Sequence, residues 1–112
     1  MQIIKNTLVL EELRQMAAGR FGDMVKAVVD VERELLAVDA ELHSDLEALL
    51  LEAGSKQNDL WGINLYPELR ANDFIEFDSM INVRPSEGNE SRGFDSETVR
   101  KKITSIVAQR IR

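Results

Sequence analysis

The sequence contains no cysteine and only one histidine. The absence of cysteine excludes disulfide bonds, thiolate metal sites and cysteine nucleophiles at the same time. It also fits a reducing compartment, so we expect a cytoplasmic protein. The single histidine, His43, is the one side chain whose unperturbed pKa lies near neutral pH. Acid–base chemistry would therefore depend on His43 or on a carboxyl group near it.

Long apolar runs and excess positive charge are also missing. No segment reaches the roughly 18 consecutive apolar residues that a membrane-spanning helix needs, and the first residues lack the apolar core of a signal peptide. The net charge of −6 argues against general nucleic-acid binding, which depends on surplus lysine and arginine. Residues 100–112 are locally basic, which is typical of the carboxyl-terminal end of a helix.

Three segments have the spacing of amphipathic helices. An apolar repeat predicts a helix over residues 9–20. Ser44 and Glu47 have the spacing of a capping box, which predicts a second helix that ends at about Ala53. A third apolar stripe predicts a helix from about Ser96 to the end of the sequence.

Four segments alternate between apolar and polar residues with the period of two that indicates a strand. The first two meet at Arg33-Glu34 and predict a hairpin, although neither residue favours the positive φ of a tight primed turn. Ile3-Ile4 fits an additional short edge strand. The four segments are residues 24–32, 34–43, 59–67 and 74–84.

These elements follow the order β-α-β-β-α-β-β-α. Hairpins between neighbouring strands favour an antiparallel arrangement. The sequence therefore predicts a single α+β domain over residues 1–112, with a four-stranded, mainly antiparallel sheet and three helices packed on one face.

Three strings resemble a family of short bacterial and archaeal proteins that is catalogued as a domain of unknown function. The resemblance extends over nearly the whole chain. It implies a compact cytoplasmic protein, and it implies no activity, cofactor or catalytic residue. The strings are "AVVDVERELLAVDAELH", "DLWGINLYPEL" and "EFDSMINVRPSEGNESRG".

The strand alternation predicts one strongly polar face of the sheet. His43, at the junction of a strand and a helix, is the first candidate for a general acid or base, and Asp39, Glu41 and Asp78 are the carboxylate candidates. A structural alternative for His43 is a hydrogen bond to a nearby carbonyl or carboxylate. Positions on one strand face lie too far apart for zinc ligands, so we expect no metal or cofactor. The polar face would carry Lys26, Asp30, Glu32, Asp39, Glu41, His43, Asn64, Tyr66, Glu76, Asp78, Asn82 and Arg84.

The loop "RPSEGNESRG" leaves this polar face directly after the fourth predicted strand. Arg84, Asn82, Asn89 and Arg92 are the candidate donors for a ligand that carries a carboxylate or phosphate. The structural alternative is a loop held in place by an ion pair from Arg92 to an acidic residue and by bonds from Asn89 to the backbone.

Three functions remain open. The leading interpretation is an interaction or accessory protein that acts as a homodimer. The second is a binder of a small anionic ligand, or an enzyme, that uses the polar face and the loop. The third is an RNA-acting regulatory protein, against which the acidic charge argues.

Overall fold

The computed structural model describes residues 1–112, and it has the predicted α+β class. The strands form one sheet in the order β1-β3-β2-β4-β5, and all neighbouring strands are antiparallel. The prediction of four strands was wrong, because β1 forms a fifth strand at the edge beside β3. The strands are β1 (Gln2–Ile4), β2 (Val25–Asp30), β3 (Leu35–Val38), β4 (Leu60–Leu65) and β5 (Ile75–Glu76), and the helices are α1 (Leu10–Gly19), α2 (His43–Glu52) and α3 (Glu97–Arg110).

Helices cover both faces of the sheet, so the prediction of three helices on one face was also wrong. Val29 belongs to the core cluster that also contains Leu13 of α1 and Ile103 of α3. The adjacent Val28 belongs to a second cluster with Leu46 of α2. Because successive side chains of a strand point to opposite faces, α1 and α3 cover one face and α2 covers the other. We call the second one the α2 face.

The β2–β3 hairpin has the predicted position but not a two-residue turn. Asp30 pairs with Leu35, so the connection is four residues long, over 31–34. The buried Asp30 carboxylate accepts hydrogen bonds from the backbone N–H of Arg33 and from the hydroxyl of Ser55. Glu34 supplies the left-handed residue of the turn, with φ of 55°. The acidic side chain thus fixes the turn and ties it to the end of α2.

The predicted start of α3 at about Ser96 is confirmed, whereas the capping signal predicted for α2 was wrong. Ser96 caps α3 by accepting a hydrogen bond from the backbone N–H of Val99. The capping box predicted at Ser44 is absent, because α2 begins at His43, and Leu42 instead of Ser44 occupies the N-cap position. No helix is long and apolar enough to cross a membrane.

The fourth predicted strand is mostly not a strand. Only Ile75–Glu76 pairs with β4, and the chain then turns through short 3-10 helices at Met80–Asn82 and Pro85–Glu87. Phe77 packs against the core under α1 and α3, whereas Ile81 packs against the core under α2. The alternation predicted that these two residues share one face, and this prediction was wrong. We call residues 77–93 the edge segment.

Side chains of the edge segment bond to β4 where β5 ends. The Asn82 amide accepts from the Gly62 N–H at 2.8 Å and donates to the Gly62 carbonyl at 2.9 Å. The Arg84 guanidinium donates to the Leu60 carbonyl. These are backbone groups that an adjacent strand would otherwise pair. The edge segment therefore completes the sheet with side chains instead of a ladder.

Candidate functional site

A row of polar side chains crosses three strands on the α2 face. The strand register places Lys26 of β2 beside Asn64 of β4, and Asn64 beside Glu76 of β5. Adjacent strands lie about 4.7–4.9 Å apart, so this row spans two strand spacings. Tyr66 follows Asn64 two positions further along β4 and therefore lies on the same face.

This row forms the floor of a pocket of about 350 Å³ beside the first turn of α2. Pockets that bind small molecules start at roughly 300 Å³, so this volume suits a small ligand. We call it the polar pocket. Its lining is Met24, Lys26, Leu42, His43, Ser44, Asn64, Tyr66, Glu76, Asp78, Ser79, Met80, Ile81 and Arg92.

The amino-terminal end of α2 opens into the polar pocket without a side-chain cap. Leu42 at the N-cap has no hydrogen-bonding side chain. The backbone N–H groups of His43 and Ser44 donate to no carbonyl of the protein. Free N–H groups and the positive end of the helix dipole together favour an anion.

Lys26 brings a positive charge to the same pocket. Its ammonium forms no ion pair with any carboxylate of the protein. The Nζ atom lies 5.3 Å from the centre of the Phe21 ring, which is a weak cation–π contact at the edge of the pocket. The charge of Lys26 is therefore not neutralised by a carboxylate.

His43 is buried at the back of the pocket, with 8% of its surface exposed. Its Nε2 lies 2.8 Å from the Ile63 carbonyl, so the Nε2–H donates to that oxygen. Burial lowers the pKa of His43 below its ordinary value of 6.5, and the charge of Lys26 lowers it further, while the hydrogen bonds that a protonated ring would donate to the Ile63 carbonyl and to Asn64 partly oppose these effects. The imidazole is thus neutral at neutral pH, with Nδ1 as its acceptor atom.

Asn64, Tyr66 and Glu76 form a connected group of hydrogen bonds. The Glu76 carboxylate accepts from Asn64 Nδ2 at 2.8 Å and from the Tyr66 hydroxyl at 3.0 Å. Desolvation and the bond to Glu76 raise the pKa of Tyr66 to about 12, so the phenol keeps its proton. Glu76 forms no ion pair and is balanced only by neutral donors.

Arg92 and Asp78 close the far side of the pocket. The Arg92 Nε lies 2.7 Å from Asp78 Oδ1, and both side chains are partly exposed. The alternative in which Arg92 bridges to an acidic residue therefore agrees with this geometry. A cleft nevertheless lies beside the pair, and Arg92 lines it.

Comparison with known proteins identifies a family. The family model described as "Protein of unknown function (DUF5674)" matches residues 2–110. The chain belongs to the DUF5674 family. No curated protein and no solved structure matches it. The resemblance to a domain of unknown function is thereby confirmed, whereas the bacterial or archaeal origin stays a prediction.

The DUF5674 fold brings together only some of the predicted site residues. His43, Asp78 and Arg92 all line the polar pocket. Asp39 and Glu41 do not line the polar pocket. Asp39 forms a 2.8 Å ion pair with Arg20, and Glu41 lies 3.9 Å from the same guanidinium. Asp39 also has a φ of 75°, which identifies it as a turn residue after β3.

Arg84 and the two asparagines hold the edge segment. The Arg84 guanidinium stacks on the Trp61 ring at 4.6 Å and lies 3.7 Å from Glu47. Asn89 donates to the carbonyls of Asn82 and Gly93, so its bonds are to the backbone. The proposed ligand-binding roles of Arg84, Asn82 and Asn89 stay untested predictions, but their polar groups are largely occupied by protein contacts.

Four pocket residues were placed on the polar face by the alternation but were not selected as candidates. The signal that could have identified them was the register of the strands, because it places a lysine on one side of an asparagine and a glutamate on the other side. That register requires the pairing partners to be known, and the sequence alone does not provide them. The four residues are Lys26, Asn64, Tyr66 and Glu76.

Proposed function

We propose that the protein binds a small ligand through an anionic group of that ligand. The observation that carries the proposal is the uncapped first turn of α2, which shares one pocket with the unpaired ammonium of Lys26. The anionic group would accept from the N–H groups of His43 and Ser44 and would neutralise Lys26. Hydrogen bonds from the N–H groups of a helix end and from an ammonium are stronger when the acceptor carries a negative charge.

The overall charge of the protein does not assist such binding. A net charge of −6 repels anions at long range, so the attraction must come from groups inside the pocket. The helix end and Lys26 are local features that act over a few ångströms. We therefore expect moderate affinity and a slow association rate compared with an electrostatically steered complex.

The rim of the pocket adds apolar contact. Leu42 is 55% exposed and Met80 is 66% exposed, and both lie beside the polar floor. Large exposed apolar side chains next to a polar pocket suit a ligand that also has a hydrocarbon part. This supports a small organic anion over an inorganic ion.

An enzymatic role would use the same residues. A neutral imidazole with a fixed Nε2–H leaves Nδ1 as a proton acceptor, which is the state required of a general base. Asp78 is the carboxylate candidate that lies in the same pocket. A catalytic role for His43 and Asp78 is therefore a prediction that depends on ligand binding first.

An NMR titration with acetate tests the proposal. We expect saturable shifts of the His43 and Ser44 backbone amides, and a loss of affinity in Lys26→Met. Lys56→Met is the matched control, because Lys56 is exposed and lies outside the pocket. Shifts that are absent, or that respond equally to both variants, would contradict the proposal.

Self-association is a second proposal, and an apolar groove supports it. The groove lies between α3 and residues 71–75, has a volume of about 380 Å³ and is lined mainly by apolar side chains such as Phe74, Ile75 and Val107. Phe74 and Ile75 are half-buried, so part of this apolar surface is open to a second copy of the chain, as expected of an accessory protein that acts as a homodimer. Light scattering over a range of concentrations tests it, and a monomer throughout would contradict it.

The RNA-acting alternative has the least support. The acidic surface lacks the surplus of lysine and arginine that phosphate binding requires. Salt-sensitive binding of single-stranded RNA would restore this alternative, and no binding at low salt would end it.

A further inference from the structure

One buried acceptor in the polar pocket has no hydrogen-bond partner. Asn64 is 5% exposed, and its Oδ1 receives no hydrogen bond from the protein. Its Nδ2 donates to the Glu76 carboxylate at 2.8 Å and to the Asp78 carbonyl at 3.3 Å. Both neighbours are acceptors, so the amide cannot be turned round, and Oδ1 must face away from them.

A buried acceptor without a donor is destabilising, because it has lost its hydrogen bonds to water without gaining one from the protein. The neighbouring neutral His43 ring does not satisfy it, because the single N–H of the ring is at Nε2 and donates to the Ile63 carbonyl, which leaves no proton on Nδ1. A ligand that offers an N–H to Asn64 Oδ1 would remove this cost. The pocket therefore suits a ligand that carries a hydrogen-bond donor as well as an anionic group.

The charges on either side of Asn64 have opposite signs. The register places Lys26 on one side of Asn64 and Glu76 on the other. Neither of them forms an ion pair within the protein, whereas the neighbouring Asp78 is already paired with Arg92. The pocket thus has a positive end, formed by Lys26 and the first turn of α2, and a negative end at Glu76.

We propose that the ligand is a small zwitterion of the amino-acid type. This inference rests on the proposed function and names the class of its ligand. The carboxylate binds at the first turn of α2 beside Lys26. The ammonium donates to Asn64 Oδ1 and neutralises Glu76. The volume of about 350 Å³ is enough for an amino acid with a short side chain.

Four probes test this inference by NMR titration of the whole protein. The probes are acetate, methylammonium, β-alanine and γ-aminobutyrate. We expect the better of the two zwitterions to bind about tenfold or more tightly than either single-charge probe, because it forms both charged contacts at once. The two zwitterions differ in the distance between their ammonium and carboxylate groups, so one of them can match the distance between the two ends of the pocket better than the other.

Glu76→Gln tests the negative end of the pocket independently of the positive end. The variant keeps an oxygen that can accept from Asn64 and Tyr66, so the fold should be retained. We expect its affinity for the zwitterion to fall to the level of acetate, while its affinity for acetate stays the same or rises. Glu52→Gln is the matched control, because Glu52 is exposed at the end of α2 and lies outside the pocket.

The outcomes distinguish this inference from the proposed function. If acetate binds and the zwitterions bind no more tightly, with no effect of Glu76→Gln, the ligand is a simple anion and the zwitterion inference is wrong. If neither acetate nor the zwitterions give saturable shifts at His43 and Ser44, both proposals are wrong.

Discussion

At the scale of single residues, asparagine amides of the edge segment take the place of backbone groups. Asn82 forms both hydrogen bonds that a neighbouring strand would form with Gly62. Asn89 links the carbonyls of Asn82, Ser91 and Gly93, and it accepts from the Asp95 N–H. An amide carries one acceptor and one donor group, as a peptide unit does, so it can fill such a position.

His43 is expected to make the free energy of unfolding depend on pH. Its pKa is lowered in the folded protein, mainly by burial, from the 6.5 of an exposed histidine. Well above pH 6.5 the ring is neutral in both states and adds no pH dependence. Below pH 6.5 the unfolded chain binds a proton that the folded protein does not bind, so the free energy of unfolding falls until the folded pKa is reached.

His43→Gln tests this residue directly, because the chain has no other histidine. Glutamine keeps an N–H for the Ile63 carbonyl but does not titrate. We expect the wild-type protein to lose more stability than the variant between pH 7 and the folded pKa, as measured by urea unfolding. Parallel curves for the two proteins would show that His43 is not desolvated.

The sequence was informative for some of these residues and not for others. Alternation in the strands placed Asn64 and Glu76 on one face, because a period of two follows from strand geometry alone. The prediction that the second strand extends to His43 was wrong, because β3 ends at Val38 and His43 lines the pocket as the first residue of α2. It could not show that Asn82 and Arg84 bond to β4, because their partners lie at least 20 positions away in the chain. Such contacts depend on tertiary packing.

At the scale of elements, the approach of the edge segment to β4 requires a glycine. A Cβ atom at Gly62 would lie 2.6 Å from the Cβ and Oγ atoms of Ser79. Ser79 is itself buried and its N–H is bonded to the Arg92 carbonyl, so it cannot easily move away. A glycine inside a strand can mark such a close approach, but the sequence does not say which residue approaches it.

Gly62→Ala is therefore expected to be destabilising. We expect a loss of about 1–3 kcal/mol in the free energy of unfolding, which is typical of an overpacked interior. Gly19→Ala is the matched control, because nothing lies within 4 Å of its position at the end of α1, and it should be neutral or stabilising by up to about 1 kcal/mol. Equal effects of the two substitutions would contradict the close approach. Urea unfolding measures both.

At the scale of the whole molecule, the sheet lies between two apolar cores. β2 and β3 are apolar at successive positions, as in Val28-Val29 and Leu35-Leu36, which is the pattern of strands that are buried on both faces. The strand alternation predicted that one face is in contact with water and that all helices lie on the other face. The α+β class and the antiparallel pairing did follow from the sequence, since they depend on local periodicity and short connections.

Two substitutions on opposite sides of the sheet test this arrangement. Leu50→Ala removes packing under α2 and should cost about 2–5 kcal/mol, and Ile103→Val thins the core under α3 and should cost about 0.5–1.5 kcal/mol. We expect the double variant to match the sum within about 0.5 kcal/mol, because the two residues belong to separate core clusters on opposite faces of the sheet. A larger interaction energy would indicate that both helices pack into one core. Urea unfolding of the four proteins provides the measurement.

The central claim is that the first turn of α2, Lys26 and Glu76 together form a binding site for a small zwitterion. The most direct measurement is a crystal structure of the protein with β-alanine or γ-aminobutyrate, whichever binds more tightly in the titrations. We expect a carboxylate within hydrogen-bond distance of the His43 and Ser44 N–H groups and an ammonium beside Asn64 Oδ1. A structure in which only water occupies these positions at a saturating concentration of either zwitterion would show that the site is not one for a zwitterion.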